Sequence, residues 1–154
     1  IPTVVAGAGI PKGKSVDSLV SLIDVPPTLL QFANIPVPEV MHGRPLQAVF
    51  DENNSSTDWT HIVFMQISES SVARAIRTKK WKFSMYDPNA DGWSESSGTN
   101  YVSQYLYNLE EDPHERTNLV NDLFYKSVCK ELSEKLKQHM RAAGEDVDSL
   151  TFNP

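Results

Sequence analysis

The 154-residue sequence predicts an α/β chain that is α+β in its own composition: a short strand and helix, then a four-stranded antiparallel sheet packed against a long C-terminal helix. Three observations carry that expectation. Four apolar-rich runs follow one another between residues 61 and 109 with short connections, as in an antiparallel meander. Residues 122–143 place Val128, Leu132, Leu136 and Met140 at four-residue spacing, with Glu131, Glu134, Lys135 and Lys137 off that stripe. A sheet of this size needs one face covered, and an amphipathic helix supplies the cover.

In chain order, residues 2–8 read as a short strand and IPKGK as a Pro/Gly turn. Leu19, Leu22, Ile23, Leu29, Leu30 and Phe32 lie in an apolar run that Pro26 and Pro27 divide. Proline is tolerated in the first helical turn, so a helix is expected from Pro26 or Pro27 to about Ala33, with Asp24 near its N-cap. IPVPEVMHGRPL reads as extended loop, PLQAVF as one helical turn and DENNSSTD as a polar linker. The four strand runs are HIVFMQIS, SVARAIRT, KKWKFSMY and YVSQYLYNL. Alternation puts Arg74 and Arg77 on opposite faces of the second, so one of them is expected to pair with an acid or face solvent. The junction DPHE has helix-start chemistry, with Asp112 as cap, Pro113 in the first turn and Glu115 reaching back. Gly144 is expected to end the last helix at its C′ position.

Composition removes several function classes. A net charge of −6 offers no basic footprint for nucleic acid. No apolar run approaches the ~18 residues that a membrane-spanning helix requires. The single cysteine, Cys129, excludes an internal disulfide and a cysteine-built zinc site. The first residues carry no basic region ahead of their apolar run and do not read as a signal peptide; lacking an initial Met, they suggest a processed or partial chain.

Four ordered segments go further. LYNLEEDPHERTNL, SLIDVPPTLLQFANIPVPE, MHGRPL and RAIRTKKWKFS together resemble the C-terminal portion of sulfatases, within the alkaline-phosphatase-like superfamily. In the family's Gly-Arg-Ser-Leu loop this chain has Pro45 where Ser is usual. The resemblance implies that residues 1–58 are the last strand and helix of the large α/β domain. Residues 59–154 would be the smaller antiparallel-sheet-plus-helix subdomain. It further implies sulfate-ester or sulfamate hydrolysis by a formylglycine nucleophile and a calcium ion in the full-length parent. Neither cofactor is expected in this chain: Cys129 lies in CKELS rather than a Cys/Ser-x-Pro-x-Arg motif. The chain is therefore expected to stabilise the catalytic domain and border the substrate pocket without being catalytic alone.

Candidate pocket residues are His42 and Arg44 in MHGRPL, Gln66 and Glu69 at the end of the first meander strand, and Arg74 on the second. Arginine suits bidentate recognition of a sulfate group. DPNADG matches the first half of a calcium loop but lacks its final glutamate, so it reads as a polar turn and no metal site is expected. NNSS matches the glycosylation pattern at Asn53 and Asn54. Expected partners are the N-terminal catalytic portion of the same protein and a sulfated carbohydrate, with self-association through the exposed N-terminal strand. Two other readings keep this texture: the same portion of a phosphonate or phosphate monoester hydrolase, and a non-catalytic module binding sulfated glycans.

Overall fold

The computed structural model describes residues 3–7, 9–50, 59 and 62–154, which divide into two compact units, 1–61 and 62–154. In the second unit the alternating runs form β1 (Val63–Ser68), β2 (Val72–Arg77), β3 (Trp81–Asp87) and β4 (Asn100–Asn108). Successive strands pair antiparallel in the order β1-β2-β3-β4, so the expected meander is present. A long helix, α1 (Lys126–Ala142), covers one face. Val72 and Ile76 of β2, Phe83 and Met85 of β3, and Tyr101 and Leu106 of β4 meet Cys129, Leu132, Leu136 and Met140 of that helix. Full burial of side chains this large contributes about 1.5–3 kcal/mol each before entropy is counted. Ser133 lets the helix approach closely and gives its hydroxyl to the Met85 sulfur at 3.4 Å.

The sheet also has a fifth strand, β5 (Thr151–Asn153), parallel to β4 over Asn100–Val102. Three residues are too few to show an alternating period, so the sequence carried no sign of it. Phe152 fixes β5 by stacking on Tyr101 at 5.5 Å, with the Lys137 ammonium 4.7 Å above the Phe152 ring.

Beyond β5, a loop residue covers the outer edge of β4. Pairing shifts between Ser84 and Met85, whose partners are Tyr105 and Ser103, leaving Gln104 as the extra residue of a bulge. The Gln104 carbonyl accepts the Asn118 side-chain amide at 3.0 Å. The Asn118 Oδ1 in turn accepts the Leu106 N–H at 2.9 Å, and the Leu119 N–H binds the Leu106 carbonyl at 2.8 Å. Among the described residues β1, at the opposite side of the sheet, is an edge with no neighbour.

The DPHE segment does not start a helix. Glu115 has φ 55°, a left-handed conformation that a helix cannot continue through. The Asp112 Oδ2 accepts the Thr117 N–H at 2.8 Å, and Lys82 holds Glu115 at 2.6 Å. Capping passes instead to Asp122, whose Oδ1 accepts the Phe124 N–H at 2.9 Å and begins the 3-10 turn Leu123–Tyr125 ahead of α1. Gly144 ends the helix as expected, with φ 91°.

The first unit holds α2 (Val25–Phe32), preceded by a 3-10 turn at Leu22–Asp24, and a single helical turn, α3 (Gln47–Phe50). Asp24 precedes α2, yet its carboxylate does not cap it. Oδ2 accepts the Ser21 N–H at 2.8 Å and Oδ1 the Arg44 N–H at 2.9 Å. Thr28, one turn on, accepts the Leu46 N–H at 2.8 Å. The segments SLIDVPPT and MHGRPL, separate in the sequence, are thus one hydrogen-bonded unit. Gly43 belongs to it, since any Cβ there would collide with the Ile23 carbonyl. Residues 3–7 form no strand, which removes the expected N-terminal strand over that stretch; Pro2 and Ala8 lie outside the described residues. The polar linker 51–58, Asn53 and Asn54 within it, and His61 lie outside them too.

Asn118→Ala removes the acceptor of the Leu106 amide. It is expected to cost about 1–3 kcal/mol by the penalty for an unpaired buried donor. The checks are a lower denaturation midpoint and faster hydrogen exchange at the Leu106 amide.

Candidate functional site

One end of the sheet gathers polar side chains from two connections, the β1–β2 turn at residues 69–71 and the β3–β4 loop at residues 88–99. Asp87, the last residue of β3, organises the loop. Its carboxylate is buried and accepts the N–H groups of Thr99 at 2.7 Å, Asn100 at 2.9 Å and Asn89 at 2.9 Å. Burial opposes its ionisation, but the N–H groups of Asn100, Asn89, Thr99 and Ala90 outweigh burial and hold the carboxyl below its ordinary value. Gly98 leaves room for this arrangement, since a Cβ there would lie 2.5 Å from the Asp87 Cβ. Gly92 packs against the neighbouring turn, where a Cβ would meet the Glu69 carbonyl at 2.6 Å and the Ser71 nitrogen at 2.7 Å.

Arg74 joins the pieces. It is 3% exposed, and its Nε binds Glu145 at 2.8 Å just beyond the Gly144 turn. One terminal nitrogen donates to the Ile67 and Ala73 carbonyls at 3.3 and 2.9 Å, and the other to the Ser96 carbonyl at 2.9 Å. The guanidinium therefore clamps β1, the loop and the segment after α1. To take a substrate anion it would have to release them.

Gln66 is exposed on β1, directly across from Arg74 in the strand register. Glu69 is exposed in the turn beside Gly92. Gln66, Glu69 and Arg74 thus share one end of the sheet. Arg77 is the arginine that faces solvent. His42 and Arg44 belong to the first unit, where both are exposed; Arg44 stands 4.8 Å over the Trp59 ring. In DPNADG the Asp87 oxygens are engaged as above. Asp91 accepts the Ser94 hydroxyl at 2.8 Å and the Trp93 N–H at 3.1 Å, which lower its pKa in that order. Among the described residues no three His, Cys, Asp or Glu side chains gather as metal ligands.

Sequence reasoning passed over two residues here. Glu145, separated from Arg74 by 71 positions, gave no local signal. Trp93, 81% exposed, did give one: a large aromatic in an otherwise Asp-, Ser-, Gly- and Asn-rich loop.

Residues 2–142 match the family described as N-sulphoglucosamine sulphohydrolase, C-terminal. The chain belongs to this sulfatase family. An arylsulfatase of Clostridium perfringens is 35% identical over 116 residues, 75% of this chain and 21% of that protein. Arylsulfatase K of Bos taurus is 29% identical over 145 residues, 89% of this chain and 25% of that protein. Among solved structures, one in complex with its substrate D-glucosamine-2-N,6-O-disulfate superposes with TM-score 0.64 at 24% identity, over 81% of this chain and 25% of that one. The phosphonate monoester hydrolase of Agrobacterium radiobacter superposes with TM-score 0.58 at 22% identity, over 83% of this chain and 26% of that one. These likenesses bear out the α+β sheet-and-helix fold. The chain spans about a quarter of the length of the relatives it matches.

Two outcomes test the clamp and the loop. Arg74→Met is expected to destabilise by about 3 kcal/mol, the low end for breaking a buried pair, because the part-buried Glu145 is left without its cation, and adding Glu145→Met recovers part of that loss in a double-mutant cycle. The folded-state pKa of Asp87 lies below its ordinary 3.8, so its stabilisation is full above that value and is lost as pH falls through the lower folded value. The stability gap between wild type and Asp87→Asn should therefore narrow on acidification below about pH 4, read by denaturant titration at successive pH values.

Proposed function

We propose that this chain completes a sulfuric ester hydrolase. It would stabilise the catalytic portion through its first unit and border the substrate pocket with the β1–β2 turn and the 88–99 loop. The observation that carries the stabilising role is the first unit's failure to bury its own apolar side chains. Val4 is 93% exposed, and Leu22, Ile23, Leu29, Ile35 and Val40 are exposed as well. Val4, Val5, Ile10, Val16, Val20 and Val49 line an open groove of about 500 Å³. Apolar surface on this scale calls for a covering partner. A catalytic portion of the same protein fits that need.

Formylglycine and calcium would come with that portion. Cys129 does not fit the nucleophile's precursor: it is buried in α1, where burial pushes its thiol pKa up, and Glu131 and Ser133 stand where Pro and Arg are required. In this reading the chain's part is positional. The glucosamine disulfate bound by the solved relative suggests a sulfated, amino-sugar-containing carbohydrate as substrate class.

The likeness to a phosphonate monoester hydrolase supports a second reading, in which the same scaffold serves a phosphonate or phosphate ester. The test is to assay the full-length protein on 4-nitrocatechol sulfate and on a phenylphosphonate monoester, beside the 154-residue chain alone. Sulfate-ester turnover by the full-length protein and none by the isolated chain is the expected result. Preference for the phosphonate would put the second reading in its place.

A further inference from the structure

Resting on the carbohydrate-substrate reading above, we propose that Trp93 is a sugar-stacking residue. It would hold the apolar face of a pyranose ring that carries no sulfate at the point of contact. Leaving a tryptophan 81% exposed forgoes the burial that usually stabilises so large a side chain. The loop that presents it is braced on all sides. Asp87 collects backbone N–H groups at its base, and Gly92 and Gly98 are packed too closely to accept a side chain. Arg74 holds Ser96, and the Asp91 N–H donates to Glu95 at 2.7 Å. The Trp93 N–H itself donates to Asp91 at 3.1 Å. A platform ordered before binding spares the ligand most of the cost of ordering it.

Surrounding chemistry selects the ligand. An indole offers two flat apolar faces and one N–H at its rim. A pyranose ring matches it, with an apolar C–H face and a rim of hydroxyls. Glu95, two positions after Trp93, and Glu69, whose backbone carbonyl packs on Gly92, are exposed acids, and carboxylates accept hydrogen bonds from hydroxyls and repel sulfate. Arg74, the cation that holds this loop, is already committed to Glu145 and three carbonyls. The ring on Trp93 is therefore a neighbour of the sulfated residue in a longer glycan, and the residue contributes to selecting chain length.

The test titrates the full-length protein, as wild type, Trp93→Ala and Trp93→Phe, with a partially sulfated heparan-type hexasaccharide by calorimetry. Thermal melts check that each variant is folded. The expected result is binding by wild type, a Kd raised about tenfold in Trp93→Ala, and most of the affinity kept in Trp93→Phe. Equal affinity in Trp93→Ala, or no hexasaccharide binding by wild type, overturns the proposal. Hydrolysis of 4-nitrocatechol sulfate by wild type in parallel separates the two readings. If it occurs while Trp93→Ala binds normally, the stacking role alone fails. If no sulfate ester is cleaved yet Trp93→Ala loses the hexasaccharide, the sugar platform stands and the sulfatase reading fails.

Discussion

The buried guanidinium of Arg74 is the constraint on which the second unit depends. A cation 3% exposed is tolerable only when its donors are met, and here they are met by groups from four places in the chain. Ile67 and Ala73 offer carbonyls from the first two strands, Ser96 one from the loop, and Glu145 a carboxylate from beyond the long helix. Each depends on something else being in place. The left-handed turn at Gly144 directs Glu145 back to the sheet, and the Asp87 cradle sets the position of Ser96. Tyr101, its hydroxyl accepting the Gly98 N–H at 3.0 Å, lies beneath the guanidinium.

The same economy recurs elsewhere in the chain. Asp24, Asp87, Asp112, Asn118 and Asp122 all use side-chain oxygens to accept backbone N–H groups of irregular segments or of the open edge and start of β4. Such groups have no ladder partner, and leaving them unpaired inside a protein costs more than a hydrogen bond gains. Asp24, Asp112 and Asn118 lie in the segments that resemble the sulfatase family. Their chemistry in this chain is architectural, which is why motif membership and catalytic participation have to be separated.

The sheet and the long helix were legible because their signals are local: alternation in the strands and four-residue spacing in α1. The helix start expected at DPHE fails because a capping box and an Asx-type turn use the same residues, and Glu115 takes the left-handed conformation that decides between them. The strand expected at residues 2–8 is absent over 3–7 because exposed apolar residues such as Val4 form a strand only when a neighbour pairs with them. The short β5 has too few residues to show a period. At the candidate site, residue type pointed to Arg74, but only the fold shows that its acid partner is Glu145. Gln66 and Glu69 were read correctly as the end of a strand and its turn. Trp93 was visible all along as a misfit in its loop.

The two sides of the sheet are unequal, and that gives the structure a direction in which it can grow. On the β4 side, pairing ends in a three-residue strand followed by Pro154, and Asn118 occupies the next stretch. On the β1 side, Val63–Ser68 contains no charge and no proline, and Met65 and Ile67 are exposed along it. Natural sheets normally discourage such edges with lysine, proline or a bulge. Among the described residues β1 is thus the longer open edge, six residues against the three of β5, and a strand that lengthens this sheet finds the most backbone to pair with there.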